Sequence, residues 1–184
     1  LTPYLTLKLT EAAYGEQAIV YSFIPFLNVI VTHGMETAYF RFGSKENEEK
    51  IYHTSSFSMI IVTAILVTCL LIWGGPISNL LQINLHPEYI KLVAWVVALD
   101  ALTTIPFSRL RLEGRPKKYA FIKVGGILIN IFATYAFISL LPQYASTHKG
   151  SFLASFHKDE FEVGYILIAN ILQNVFVLIL LQKE

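Results

Sequence analysis

Between Ile51 and Pro87 the chain runs for 37 residues without one Asp, Glu, Lys or Arg. A soluble domain has no use for an uncharged run of that length, whereas a helix crossing a bilayer core needs about 20 predominantly apolar residues. One span is placed inside this interval, at about 55–81. Four more stretches share its character. The first, about 17–40, has Glu36 as its only acidic or basic residue, and the others lie at about 87–112, 119–141 and 163–182. Over all 184 residues, 54% are hydrophobic and 15% charged, against roughly 25% charged in soluble domains. That deficit excludes intrinsic disorder, a coiled coil and a nucleic-acid-binding module. The reading is an all-α polytopic bundle of five full spans, forming a single transmembrane domain over 1–184.

Local punctuation fits these spans. Pro87-Glu88 suits a helix start, where a missing N–H costs nothing and a carboxylate meets the positive dipole end. Gly74-Gly75-Pro76 predicts a bend or an end to the second span, and Gly114-Arg115-Pro116 a tight turn after the third. Pro25 and Pro106 lie inside spans and predict kinks. The lone Cys69 excludes an intramolecular disulfide and a multi-cysteine metal site.

Basic residues set an orientation. Arg41, Lys45, Lys50, Arg109, Arg111, Arg115, Lys117, Lys118, Lys123 and Lys183 fall at one side, and Lys8, Lys91, Lys149 and Lys158 at the other. The first group is predicted to be cytoplasmic, with 1–16, 82–88 and 142–161 facing outward. Five spans ending in the cytoplasm place the start of the chain outside, and no basic-then-apolar leader precedes Gly15. The expectation is a piece of a longer protein, with a preceding helix ending near Leu1–Leu9 and more following Glu184.

Polar residues are costly at membrane depth and turn toward a bundle interior or a water-filled path. Asn28, Thr32 and Glu36 recur every four residues on the first span. Asp100, Thr103, Thr104, Ser108 and Arg111 share one face of the third. Lys123, Asn130 and Thr134 do so on the fourth, and Asn170, Gln173 and Asn174 on the fifth. The plain alternative for the asparagines is interhelical hydrogen bonding. For Gly125-Gly126 it is close helix packing, and for the boundary arginines and lysines it is topology. Asp100 resists such an account. It stands nine residues from both Lys91 and Arg109, about 13 Å from either charged boundary at 1.5 Å per residue. A carboxylate there is predicted to be protonated, paired with Lys123 or Arg111, or bathed in cavity water. Glu36, nearer Arg41, suits an ion pair with a neighbouring helix. No nucleophile elbow, zinc-protease motif, phosphate-binding glycine loop or CxxC is present, and the five histidines do not converge. The expectation is a protein that is not an enzyme and uses neither a cofactor nor a metal.

Two strings are distinctive. Gly34-Met35-Glu36-Thr37-Ala38-Tyr39-Phe40-Arg41-Phe42 closes the first span, and the segment from Leu99-Asp100 through Thr104-Ile105-Pro106-Phe107-Ser108-Arg109-Leu110-Arg111 to Arg115-Pro116 runs out of the third. Both resemble the polysaccharide-biosynthesis branch of the MOP superfamily, the lipid-linked oligosaccharide flippases related to MATE exporters and the lipid II flippase. Thr10–Glu16 resembles that family's link between its first two helices. The resemblance covers nearly the whole chain and implies helices two to six of an N-terminal lobe in a bacterial inner membrane. It also implies alternating-access translocation of an undecaprenyl-diphosphate-linked oligosaccharide for surface polysaccharide synthesis. On that reading Arg41, Arg109, Arg111 and Lys123 are placed to attract the diphosphate. The polar stripes, with Glu36, Thr104 and Asn130, host sugars, while membrane lipid surrounds the prenyl tail. Asp100 carries a coupling proton or sodium ion, or balances the cations. Two other classes stay open: a MATE-like small-molecule exporter, for which a net acidic cavity is expected, and a non-transporting membrane subunit.

Overall fold

The computed structural model describes residues 2–43, 47–81, 86–147 and 161–182. The expectations for Lys45, Lys149, Lys158, Lys183, and for residues 82–85 and 148–160 of the outward segments, lie outside the described residues. All regular structure among the described residues is helical. Five helices are long and apolar enough to cross a membrane: Glu11–Thr32, Glu48–Ile72, Glu88–Leu112, Pro116–Ala145 and Glu162–Leu181. The protein is a polytopic helical membrane protein.

A short helix, α1 (Thr2–Lys8), precedes the first of them, α2 (Glu11–Thr32). At its start the Thr10 hydroxyl accepts from the Ala13 N–H at 3.2 Å, and Glu11 lies in the first turn, which caps two needs of a helix N-terminus at once. The helix therefore begins six residues before the apolar boundary at Gln17, because hydropathy marks the bilayer edge and capping marks the helix end. Its other end corrects the expected continuous span to Phe40. His33 (φ 32°) and Gly34 (φ 77°) are left-handed, and the chain restarts as α3 (Met35–Gly43). The His33 ring is held by the Val31 carbonyl at 2.6 Å and the Ser58 hydroxyl at 3.3 Å.

The second span is likewise shifted. Helix α4 runs Glu48–Ile72 rather than 55–81, and Gly74–Leu80 forms a separate short helix, α5, after the Trp73 break. Helix α6 (Glu88–Leu112) agrees with its expected bounds and continues through Pro106, just as α2 continues through Pro25. It ends in a Schellman motif: Gly114 N–H to the Arg111 carbonyl at 3.2 Å and Arg115 N–H to Leu110 at 3.0 Å, with Gly114 at φ 67°. Pro116 then opens α7 (Pro116–Tyr135) at its first turn. A π-helical turn, Ala136–Leu140, joins α7 to α8 (Leu141–Thr147). Pro142 explains that turn, since it has no N–H for the Ile138 carbonyl and its ring crowds it. Helix α9 spans Glu162–Leu181.

Helix α6 is the hub, packed against α2, α3, α4, α7 and α9. Half of its apolar stretch is buried, against 11% for the span that begins at Pro116. Tyr89, Ile90, Val93, Ala94, Val97, Ala101 and Ile105 supply most of its core face. Helix α7 meets α9 closely: a Cβ at Gly126 would lie 2.9 Å from Val177 Cγ2, and one at Gly125 3.3 Å from the Phe176 ring. The glycine pair is thus a packing device, as small residues are where membrane helices gain from van der Waals approach. The outer faces carry Phe26, Phe57, Phe121 and Phe132, all more than 60% exposed. Such a surface belongs in hydrocarbon and not in water.

Candidate functional site

Residues of four helices, α2, α3, α6 and α7, meet around a recess of about 200 Å³ lined by Asn28, Thr32, Glu36, Asp100, Thr103, Thr104, Phe107, Arg111, Tyr119 and Lys123. It is smaller than the roughly 300–1,000 Å³ of a site enclosing a drug-sized ligand. It admits an anionic group or several waters, and anything longer must extend out of it. Helix periodicity builds its walls. Asp100, Thr104, Phe107 and Arg111 are spaced by four, three and four on α6, and Tyr119 and Lys123 by four on α7. Although the chain breaks at His33-Gly34, Glu36 on α3 still faces the same space as Thr32 on α2.

The recess holds two carboxylates and two cations, and their pairing is uneven. Asp100 Oδ2 accepts from the Asn28 side-chain amide at 2.8 Å. Of the three alternatives expected for Asp100, pairing with Lys123 or Arg111 is not seen: among the described residues Asp100 makes no ion pair, and it lines the recess instead. Arg111 lies eleven residues further along α6, about 16 Å at helical rise, and donates instead to Glu36 on α3. Its guanidinium also sits 5.2 Å from the Phe40 ring centroid and 5.5 Å from that of Tyr119. Lys123 has no carboxylate within 4 Å among the described residues, and its Nζ lies 5.0 Å over Phe107. An ammonium on an aromatic face keeps an attraction worth about 0.5–2 kcal/mol but stays available to an anion. The Thr103 and Thr104 hydroxyls are turned back onto the Asp100 carbonyl, at 2.8 and 3.2 Å.

Of the side chains singled out from the sequence, Glu36, Asp100, Thr104, Arg111 and Lys123 therefore line one space, and Arg41, Arg109 and Asn130 do not. Arg41 lies 5.6 Å over the Phe42 ring. Arg109 belongs to another polar cluster. Its Nε is 2.9 Å from Glu113 and 4.0 Å from Glu48, its guanidinium stacks 5.0 Å over Tyr52, and Tyr39 donates to Glu48 at 3.1 Å. Nine residues from Asp100 is half a turn out of phase, so Arg109 points away from the recess while Arg111 points into it. Asn130 donates to Asn170 at 3.1 Å, and Asn170 donates to Tyr21, joining α7, α9 and α2 by side-chain amides. Asn28, Thr32 and Thr103, read from the sequence as members of the polar stripes, also line the recess, whereas Phe107 and Tyr119 were not among the residues first singled out. The aromatic pair was legible as i, i+4 partners of Arg111 and Lys123.

Among the described residues, no three His, Cys, Asp or Glu side chains converge as a metal would require. What the arrangement offers is a polar, charge-balanced concavity in a helical membrane protein, with one cation already paired and one not. In comparisons with known proteins, residues 7–148 match the model of a family described as polysaccharide biosynthesis protein. No curated protein and no solved structure shows a significant match.

Proposed function

From the premise that this chain belongs to the polysaccharide biosynthesis protein family, we propose that it works as part of a flippase for a polyprenyl-diphosphate-linked oligosaccharide. The diphosphate enters the recess from the cytoplasmic leaflet and is held by Lys123 and Arg111. Sugars extend along the polar stripes, and the prenyl tail stays in lipid. No covalent bond changes, and no cofactor takes part. Asp100, held by Asn28, is the candidate carrier of a coupling proton or sodium ion. The setting is a bacterial inner membrane, with the turn Glu113–Arg115 and the start of α7 in the cytoplasm.

The observation carrying this reading is Lys123: an ammonium in a membrane recess, without a carboxylate partner among the described residues, beside a guanidinium stacked between two aromatic rings. Lys123 is exposed on the wall of the recess, and a site that keeps such a cation in reserve is suited to an anion. Arg111 adds a planar fork able to grip phosphate oxygens bidentately. A drug-cation exporter would need its acids free of cations, whereas Glu36 is paired with Arg111.

The test is the accumulation of lipid-linked repeat units on the cytoplasmic side of cells expressing full-length variants at equal protein levels. Arg111→Ala and Lys123→Ala block export, and Arg111→Lys impairs it, because a point charge does not replace a fork. Unchanged export in both alanine variants overturns the reading and leaves these residues as boundary anchors.

A further inference from the structure

Glu36 is the acid that meets the recess's strongest anion-binding group, and it sits on a different element from that group. Helix α3 is set off from α2 by the left-handed pair His33 and Gly34, so the Glu36 carboxylate is not rigidly continuous with the wall carrying Asn28 and Thr32. Its side chain is 37% exposed and that of Arg111 42%. A pair so open to water is weakly held and gives way to a competing anion. The guanidinium does not depend on Glu36 for its position, since Phe40 and Tyr119 flank it at 5.2 and 5.5 Å. Removing the carboxylate therefore leaves a fork already oriented for a second anion. The other acid is out of contention, because Asp100 is taken by Asn28.

We propose that Glu36 is the release group of the recess: it occupies Arg111 when no diphosphate is bound, is displaced by the diphosphate, and reclaims Arg111 as the diphosphate leaves. The proposal rests on the diphosphate reading above and assigns a distinct role within it. Two uncompensated cations side by side would hold a diphosphate more firmly than transport allows, since transport requires binding that is favourable and still reversible. Lys123 makes first contact, Arg111 engages second, and the anion competes with Glu36 for it.

Equilibrium binding to the purified full-length protein tests this, using inorganic pyrophosphate and farnesyl diphosphate as separate probes at one salt concentration. Glu36→Gln tightens both by about three-fold, the gain expected when a weakly held competing pair no longer occupies the site. Glu36→Ala does the same, so the result does not depend on one variant folding well. The gain disappears in an Arg111→Ala background. Export of lipid-linked units falls in Glu36→Gln despite the tighter binding, because release is slowed. Arg111-dependent binding that is unchanged or weakened in both Glu36 variants overturns the release role while the diphosphate reading stands. Tightening for farnesyl diphosphate alone also overturns it, since Glu36 would then act on the apolar chain. Binding of both probes that ignores Arg111→Ala and Lys123→Ala overturns the diphosphate reading itself.

Discussion

Asn28 on α2 and Asp100 on α6, 72 residues apart, are joined by an amide-to-carboxylate hydrogen bond of 2.8 Å at the inner end of the recess. The bond ties the first full span to the hub helix and gives a membrane-depth carboxylate a neutral donor instead of a cation. Asn28→Leu strips Asp100 of that donor and is expected to cost about 0.5–1 kcal/mol, because the part-buried carboxylate keeps access to the recess. Asn28→Leu combined with Asp100→Leu recovers most of the loss. Thermal unfolding in detergent, run as a double-mutant cycle, checks this. Additive losses would mean that the bond contributes nothing.

Helix α7 depends on α9 for its place, and Gly126 sets the distance. A Cβ there lies 2.9 Å from Val177 Cγ2 and 3.3 Å from Gln173 Cγ, whereas nothing comes within 4 Å of one at Gly15. Gly126→Leu is expected to destabilise the protein by about 1–3 kcal/mol through overpacking. Gly15→Ala is expected to be neutral or to stabilise by about 0.5–1 kcal/mol, as removal of a mid-helix glycine does. Melting temperatures of the two variants report the contrast.

Much of this arrangement was legible in the sequence, and particular residues show why the remainder was not. The uncharged run from Ile51 to Pro87 and the spaced polar residues of α2, α6 and α7 carry the bundle and the inward faces, because lipid penalises any other arrangement. The starts of α2 and α4 were misplaced because Thr10 and Glu48 lie beyond the apolar stretch that hydropathy measures. Arg109 was grouped with Arg111 by charge and proximity, although eleven residues from Asp100 returns to its face and nine does not. The sequence offered Asp100 a proton, a cation or cavity water but not the Asn28 amide, since spacing along the chain says nothing of how near α2 brings that side chain to α6.

The Arg109 cluster predicts a response to acid. Burial pushes the Glu113 carboxyl up, but hydrogen bonds from Arg115 at 3.1 Å and Arg109 at 2.9 Å, together with their charges, outweigh it and hold the group below the usual carboxylate range. A folded-state value below the unfolded one stabilises fully above about pH 5 and is lost as pH falls through the folded value. Wild type is therefore more stable than Glu113→Gln near neutrality, and the gap closes on acidification. Melting temperature against pH for both proteins measures it; a gap that is flat or widens in acid contradicts the account.

Orientation has its own test. With Cys69→Ser as background, cysteines introduced at Lys45 or Arg115 are expected to resist an impermeant thiol reagent in intact cells and to react after permeabilisation. Labelling of both from outside would reverse the assigned topology and move the recess mouth to the other leaflet.

The central claim is that Lys123 and Arg111 carry a diphosphate-linked glycan across the bilayer. It is tested most directly by the transbilayer movement of a fluorescent polyprenyl-diphosphate oligosaccharide in proteoliposomes containing the full-length protein. The account predicts protein-dependent movement that falls at least about ten-fold in both Lys123→Ala and Arg111→Ala, the scale of losing one charge-assisted phosphate contact worth about 1.5–3 kcal/mol. Movement at the wild-type rate in both variants, at equal protein per vesicle, would contradict it.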